Sequence, residues 1–393
     1  MAYIGKVPAA AALTASDITD GIISTAKIAD NAVTSAKTVY EDISFRNVII
    51  NGDMAISQRN TSVTGLGASA GYFTLDRWNI STASSAGRFT MTQTADGPSG
   101  IANCLKLACT TADTSIAAAE TLIVRQKIED QNCVKFKKGT ADAEQISVSF
   151  YAKQNESRVI SVGLYDSQNN RIIMNLVTVG TSWTRHEITF AADTTGAFAD
   201  DNGIGFELWF FLHAGSTYTS GTLATSWESY TAANTAVGIG SLYASTSNTF
   251  FLTGVQVEAG DAVSDFEFVP YDVNLQRCQR YYQKSFDIGT APAQDVGIQT
   301  GDLSFPSTKG ASTASTLSQK YNFPVRMRAA PTMVGYNSDV ANAQVRDVTA
   351  GADCSSTAFA SNKETGFYVS CTTSGSTGVG DYLSLHFTAA AEL

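Results

Sequence analysis

No uninterrupted apolar run of about 18 residues, the length that carries a helix across a bilayer, occurs in this 393-residue sequence. Residues 1–37 lack both a basic start and a continuous apolar stretch, so no secretion signal is read there. A soluble chain without membrane insertion is expected. Basic residues are also scarce: 26 Lys+Arg stand against 36 Asp+Glu, the net charge is −10, and no basic block that would neutralise phosphates is present. Nucleic acid is therefore not an expected partner. The six cysteines, Cys104, Cys109, Cys133, Cys278, Cys354 and Cys371, show neither CxxC spacing nor interleaved histidine, which argues against zinc. Most read as buried thiols, and Cys354 with Cys371 is the pair an oxidising compartment would join. Only 16% of residues are charged, and Ser, Thr, Gly, Asn and Ala crowd the chain. Such a composition suits short strands and tight turns better than long ion-paired helices, so the expected class is all-β.

What is present begins with a repeat. DGIISTAKIADNAVTSAK, residues 20–37, returns on itself after ten residues: Ile18 as Ile28, Asp20 as Asp30, Ile23 as Val33, Ala26 as Ala36, Lys27 as Lys37. Between Thr14 and Lys37 the sizeable apolar side chains are Ile18, Ile22, Ile23, Ile28 and Val33. So few cannot offset the entropy of ordering the segment in isolation. These five residues are expected to bury themselves against sister copies or against another protein; a disordered tail is the alternative.

A chain of this length exceeds what one core usually fills, so more than one domain is expected. From Ile43 the pattern turns to short alternating strands. ISVSFYAK puts Ile146, Val148, Phe150 and Ala152 on one side, and VISVGLY repeats this with Ile160, Val162 and Leu164. In IGFELWFFLH, Ile204, Phe206, Leu208, Phe210 and Leu212 share a face while Glu207, Trp209, Phe211 and His213 share the other. Turn signals between such runs point to an antiparallel jelly-roll β-sandwich. VNLQRCQRYYQK, 273–284, leaves period two and predicts one or two helical turns as a connector. Strand-like pieces then return up to residue 393. The expected architecture is an extended N-terminal repeat segment (1–42), a jelly-roll sandwich (43–272) and a smaller C-terminal β-sandwich or knob (273–393).

RNVIINGDMAISQR (46–59) followed by YFTLDRW (72–78) resembles the opening of a carbohydrate-binding-module-like jelly roll found in tail fibre proteins of tailed bacteriophages. FLTGVQVEAGDAVSDFEFVPYDVNLQRCQRYYQK (251–284) resembles that module's closing strand and exit, and NFPVRMRAAPTM (322–333) resembles the knob that often follows it. The decapeptide repeat is similar to leading segments of fibre and virion proteins from phages of marine bacteria. The resemblance implies a homotrimeric fibre on the virion surface, assembled in the host cytoplasm. It would dock to other phage proteins through residues 1–42 and attach the particle to host-surface glycans. Capsid decoration or a head fibre with a purely structural role is the alternative.

Sugar recognition needs flat aromatic faces beside hydrogen-bonding groups. The face of Glu207, Trp209, Phe211 and His213 offers both, with Tyr151, Lys153 and Tyr165 expected to line neighbouring strands. Burial of that face by a second sheet or by the C-terminal domain is the competing reading. SWESY adds Trp227 and Tyr230, with Tyr218 just before them, as loop contacts or as loop packing. Trp183 and Trp78 read as structural, the latter beside an Asp76–Arg77 clasp. Glu207 and Glu258 are conceivable paired carboxylates, but no motif singles them out and His186, His213 and His386 neighbour no hydrolase pattern. No catalysis, metal or cofactor is expected. DTTGAFADDNG (193–203) reads as a solvated acidic turn rather than a calcium loop.

Overall fold

Alternation in the sequence becomes two facing sheets. The strands are β1 (Ser62–Leu66), β2 (Asn79–Ala83), β3 (Arg88–Thr94), β4 (Cys104–Thr111), β5 (Thr121–Glu129) and β6 (Ile146–Gln154). They continue as β7 (Arg158–Asp166), β8 (Arg171–Val179), β9 (Thr184–Phe190), β10 (Ile204–Ala214), β11 (Glu228–Ser229) and β12 (Thr249–Ala259). One six-stranded sheet runs β1-β3-β4-β12-β6-β9 and the other β11-β8-β7-β10-β5-β2. Every ladder in them is antiparallel, and together they form the jelly-roll sandwich. This is a computed structural model, and it describes residues 45–298, 301–308 and 315–393. Ile18, Ile22, Ile23, Ile28 and Val33 lie outside the described residues.

The inward faces are those the alternation selects. Val148, Phe150 and Ala152 of β6, Ile160, Val162 and Leu164 of β7, and Phe206, Leu208, Phe210 and Leu212 of β10 all enter one core. Phe150 and Phe210 meet edge to face across it, with centroids 5.1 Å apart.

The stretch from Asn47 closes one end of the sandwich by bridging its sheets. Asn47 Oδ1 accepts from Val257 N, and its Nδ2 donates to Val255 O, both at 3.0 Å. Three residues on, Gln126 of β5 exchanges two bonds with the Ile50 backbone, at 2.8 and 2.9 Å. Asn51 O then accepts from the indole of buried Trp78 at 3.0 Å. Gly52 is required here, because a Cβ would stand 2.2 Å from Val255 O. The motif wording of this segment thus has a structural cause.

The connector is α2 (Tyr271–Gln279), preceded by the short α1 (Ser216–Thr219) in the long loop after β10. Beyond α2 come β13 (Tyr282–Lys284), β14 (Leu303–Pro306), β15 (Thr316–Asn322), β16 (Thr332–Tyr336) and β17 (Arg346–Asp347). The last are β18 (Ala352–Asp353), β19 (Ser355–Lys363), β20 (Gly366–Thr372) and β21 (Tyr382–Ala390). Strand β21 is central to one sheet, pairing with β13, β14, β16 and β17. A three-stranded sheet β15-β20-β19 faces it. Leu383, Leu385 and Phe387 meet Leu317, Phe367 and Val369 in a second core. Cys354 and Cys371 are both buried there as free thiols.

The two sandwiches are clamped by buried charge. Glu129 accepts from Arg280 Nε at 2.9 Å and from Tyr281 Oη at 2.7 Å. Glu392 is gripped by Arg59 at 2.9 Å and by Arg77, whose guanidinium stacks 3.5 Å over the Tyr281 ring. Asp76 pairs with Arg59 at 3.6 Å and accepts from Gln58 N at 3.0 Å. The Asp76–Arg77 clasp therefore joins the two halves as well as seating Trp78.

Burial holds Tyr243, Tyr281 and Tyr282 well above the ordinary tyrosine value and pushes Tyr72 up to about 12. Unfolded tyrosines ionise near pH ~10, so above that pH the folded state retains protons that the unfolded state has released. Stability is therefore expected to fall as pH climbs past about 10, by roughly 1 kcal/mol per such tyrosine at pH ~11. Urea midpoints measured across this range check it.

Candidate functional site

The outer face of β10 is not open. Trp209 and Phe211 pack with Ile123, Ile172 and Met174 beneath the loop of residues 215–245, which contributes Ala224, Ala236, Tyr218 and Tyr230. Backbone bonds pin the loop down: Met174 N to Ala224 O at 2.6 Å, Gly240 N to Val159 O at 2.9 Å. The cover is neither a second sheet nor the C-terminal domain but the aromatic loop itself. Trp209 is 6% exposed, and Glu207 is held by Arg125 Nη1 at 3.0 Å and by the Trp209 indole at 2.8 Å. His213 is fully buried between Glu120 Oε2 at 3.0 Å and Ser241 Oγ at 2.8 Å, and burial lowers its pKa. Tilted ring contacts join Tyr165 to Trp209 at 4.6 Å, Tyr230 to Tyr165 at 5.2 Å, and Tyr218 to Phe211 at 6.3 Å between centroids. Tyr165 and Tyr230 remain half-buried at the rim.

Three other expected neighbours lie elsewhere. Trp227 stacks on Phe206 at 5.8 Å and donates to Ala191 O at 2.7 Å. Tyr151 and Lys153 do not join Tyr165, because the turn between β6 and β7 carries the chain from one sheet to the other. The expectation that Tyr151, Lys153 and Tyr165 together line strands neighbouring the Trp209 face is thereby corrected: they lie on two separate faces. Glu258 belongs to the sheet opposite Glu207 and accepts from Ser264 N and Oγ, both at 2.7 Å.

The solvated acidic turn read at residues 193–203 fits exposed Asp200 and Asp201 but not Asp193. Asp193 is buried, and the ammonium of Lys138 fills the oxygen cage that the segment helps build. Lys138 Nζ lies 2.6 Å from Asp166 Oδ2, 3.2 Å from Asp193 Oδ2, 2.8 Å from Thr195 O and 2.6 Å from Gly196 O. Burial alone would raise the Asp193 pKa, but Arg171 and Lys138 outweigh it and hold the carboxyl below its usual range.

The face that does meet solvent with aromatic rings is the outer side of the sheet containing β6. Leu105, Phe250, Leu252 and Ala152 point into the core, so their alternates Lys106, Phe251 and Lys153 point out. Register aligns them across adjacent strands: Thr92 opposite Lys106, Lys106 opposite Phe251, Phe251 opposite Lys153. Trp183, just before β9, extends the row. Its ring meets Phe251 at 6.2 Å and 75°, forming a right-angled corner, and both rings are half-buried. Lys153 Nζ sits 4.9 Å from the Trp183 centroid and 4.8 Å from that of Phe251. Lys106 Nζ flanks Phe251 at 5.4 Å. The loop before β4 braces the corner: Asp96 pairs with Lys153 at 2.9 Å, and its carbonyl accepts from the Trp183 indole at 3.0 Å. Aromatic faces beside amines and carboxylate form a surface on which a sugar can stack and hydrogen-bond. Parity is the signal that marks Trp183: it is odd-numbered, opposite in phase to inward Ile188 and Phe190.

No family model and no curated protein matches this sequence. Solved structures with a similar path include a CBM4 module at 13% identity, covering 53% of this chain and 97% of that one, TM-score 0.27. A family 11 carbohydrate-binding module of a Clostridium thermocellum cellulosomal cellulase matches at 11% identity, 51% and 100% coverage, and TM-score 0.26. A CBM22 xylan-binding domain from Paenibacillus barcinonensis matches at 15% identity, 47% and 91% coverage, and TM-score 0.25. At these values the likeness assigns neither a family nor a ligand to this chain.

Proposed function

We propose that this chain is a non-enzymatic attachment protein of a tailed phage, a homotrimeric fibre that docks through residues 1–42 and contacts host-surface glycans. The observation that carries the glycan contact is the solvent-facing corner of Trp183 and Phe251 with Lys106 and Lys153 beside it. The virion setting, trimer and surface location rest on the wording of the repeat and of residues 46–59, 251–284 and 322–333. Against hydrolysis stands the engagement of Glu207 and Glu258 in structural bonds on separate sheets. Affinity per sugar would be modest on so open a surface, and copies on one fibre raise it through effective concentration.

The purely structural alternative, a capsid decoration or head fibre, is favoured by burial of the Trp209 face. An array of bacterial surface polysaccharides probed with the full chain separates the two. Signal above background is expected; a blank array would leave the decoration role.

A further inference from the structure

We infer that the row Lys106–Phe251–Lys153–Trp183 takes an acidic glycan, one whose sugars carry carboxylates; this rests on the glycan-contact reading above. The chain as a whole carries −10, yet this row is locally positive. Among the described residues the carboxylate paired with this row is Asp96, which is committed to Lys153 through both oxygens, at 3.1 and 2.9 Å. Lys106 forms no ion pair among the described residues; its ammonium rests 5.4 Å over Phe251. Arg185, opposite Tyr151 one row along, is occupied by Glu187 at 2.9 Å and by the carbonyl of Ser264. Lys106 is thus the donor left for an incoming anion, and it stands beside the ring on which a pyranose would lie.

A carboxylated sugar uses both features at once: its C–H face covers Phe251 or Trp183, and its carboxylate reaches an ammonium that has a ring but no counter-charge. A neutral sugar would use the ring and leave Lys106 without a counter-charge. An acidic peptide would meet the charge, but it has no flat C–H face to fit the right-angled corner. Because the row is half-exposed, the charge contribution is screened by salt.

The test uses the full chain against alginate, polygalacturonate and hyaluronate as acidic probes and dextran and mannan as neutral ones, at low and at physiological ionic strength. At least one polyuronate should bind about tenfold more tightly than either neutral polymer, and added salt should weaken it. Lys106→Met, which keeps a side chain over Phe251, should cut that binding about tenfold, the loss of one charge-assisted bond, while Lys106→Arg restores it. Neutral polymers bound as tightly, with Lys106→Met unchanged, would overturn this inference and leave the glycan reading standing. Failure to bind any of these polymers would also overturn it, and with a blank array the glycan reading falls too.

Discussion

Lys138→Met is expected to lower the unfolding free energy by about 3–5 kcal/mol, the loss typical when one partner of a buried ion pair is removed. Its side chain is 1% exposed, and its ammonium touches two carboxylates and two backbone carbonyls. Methionine fills a similar volume but supplies no charge or donor, so Asp166 would be left buried without its cation and the 193–203 segment would lose its tie to β7. Urea unfolding reads the free energy, and faster thermolysin cleavage within 193–203 would localise the damage. Lys137→Met is the control. That neighbour is exposed and pairs with Glu144 on the surface, so its urea midpoint should stay where it was.

Glu392→Ala should cost a comparable amount, about 3–5 kcal/mol, by stranding Arg77 in the junction between the two sandwiches. The Arg77 side chain is 1% exposed, with one further donor bond to Lys127 O at 2.6 Å and its plane against Tyr281. Loss of the carboxylate would leave a desolvated guanidinium that those contacts do not neutralise. Because Glu392 also holds Arg59, the variant weakens the clamp rather than either core. Calorimetry should then resolve two transitions in place of one.

Much of the fold was legible because both faces of its long strands carry period-two information. The split of β10 into Phe206, Leu208, Phe210 and Leu212 against Trp209 and Phe211 followed from parity alone, since a strand must send alternate side chains to opposite faces. What covers the second face was not legible. The covering residues Leu223, Ala224, Tyr230, Ala236 and Ile239 are scattered through a Ser/Thr-rich loop without a period, and a loop's packing depends on partners distant in sequence. Assigning β6 and β7 to one sheet failed for a related reason: a short turn between strands reads alike whether the chain pairs with itself or crosses the sandwich.

The site was partly readable in the same sense. Lys153 and Tyr151 were picked as outward residues, which they are, but they were grouped with the wrong sheet. Trp183 was read as packing, although its phase places it outward with Arg185 and Glu187. Lys138 gave no local sign at all. It stands in the charged run KFKK beside exposed Lys137, and only the return of residues 166 and 193–196 around it makes it internal.

The most direct test of the account is a titration with whichever polysaccharide gives the strongest array signal. It should compare the full chain, its Trp183→Ala/Phe251→Ala variant and its Tyr165→Ala variant on the opposite sheet. The account predicts that the double variant loses at least about tenfold in affinity with its fold intact, as removal of central aromatic contacts does, while Tyr165→Ala binds like the parent. Undiminished binding by the double variant, or loss confined to Tyr165→Ala, would contradict it.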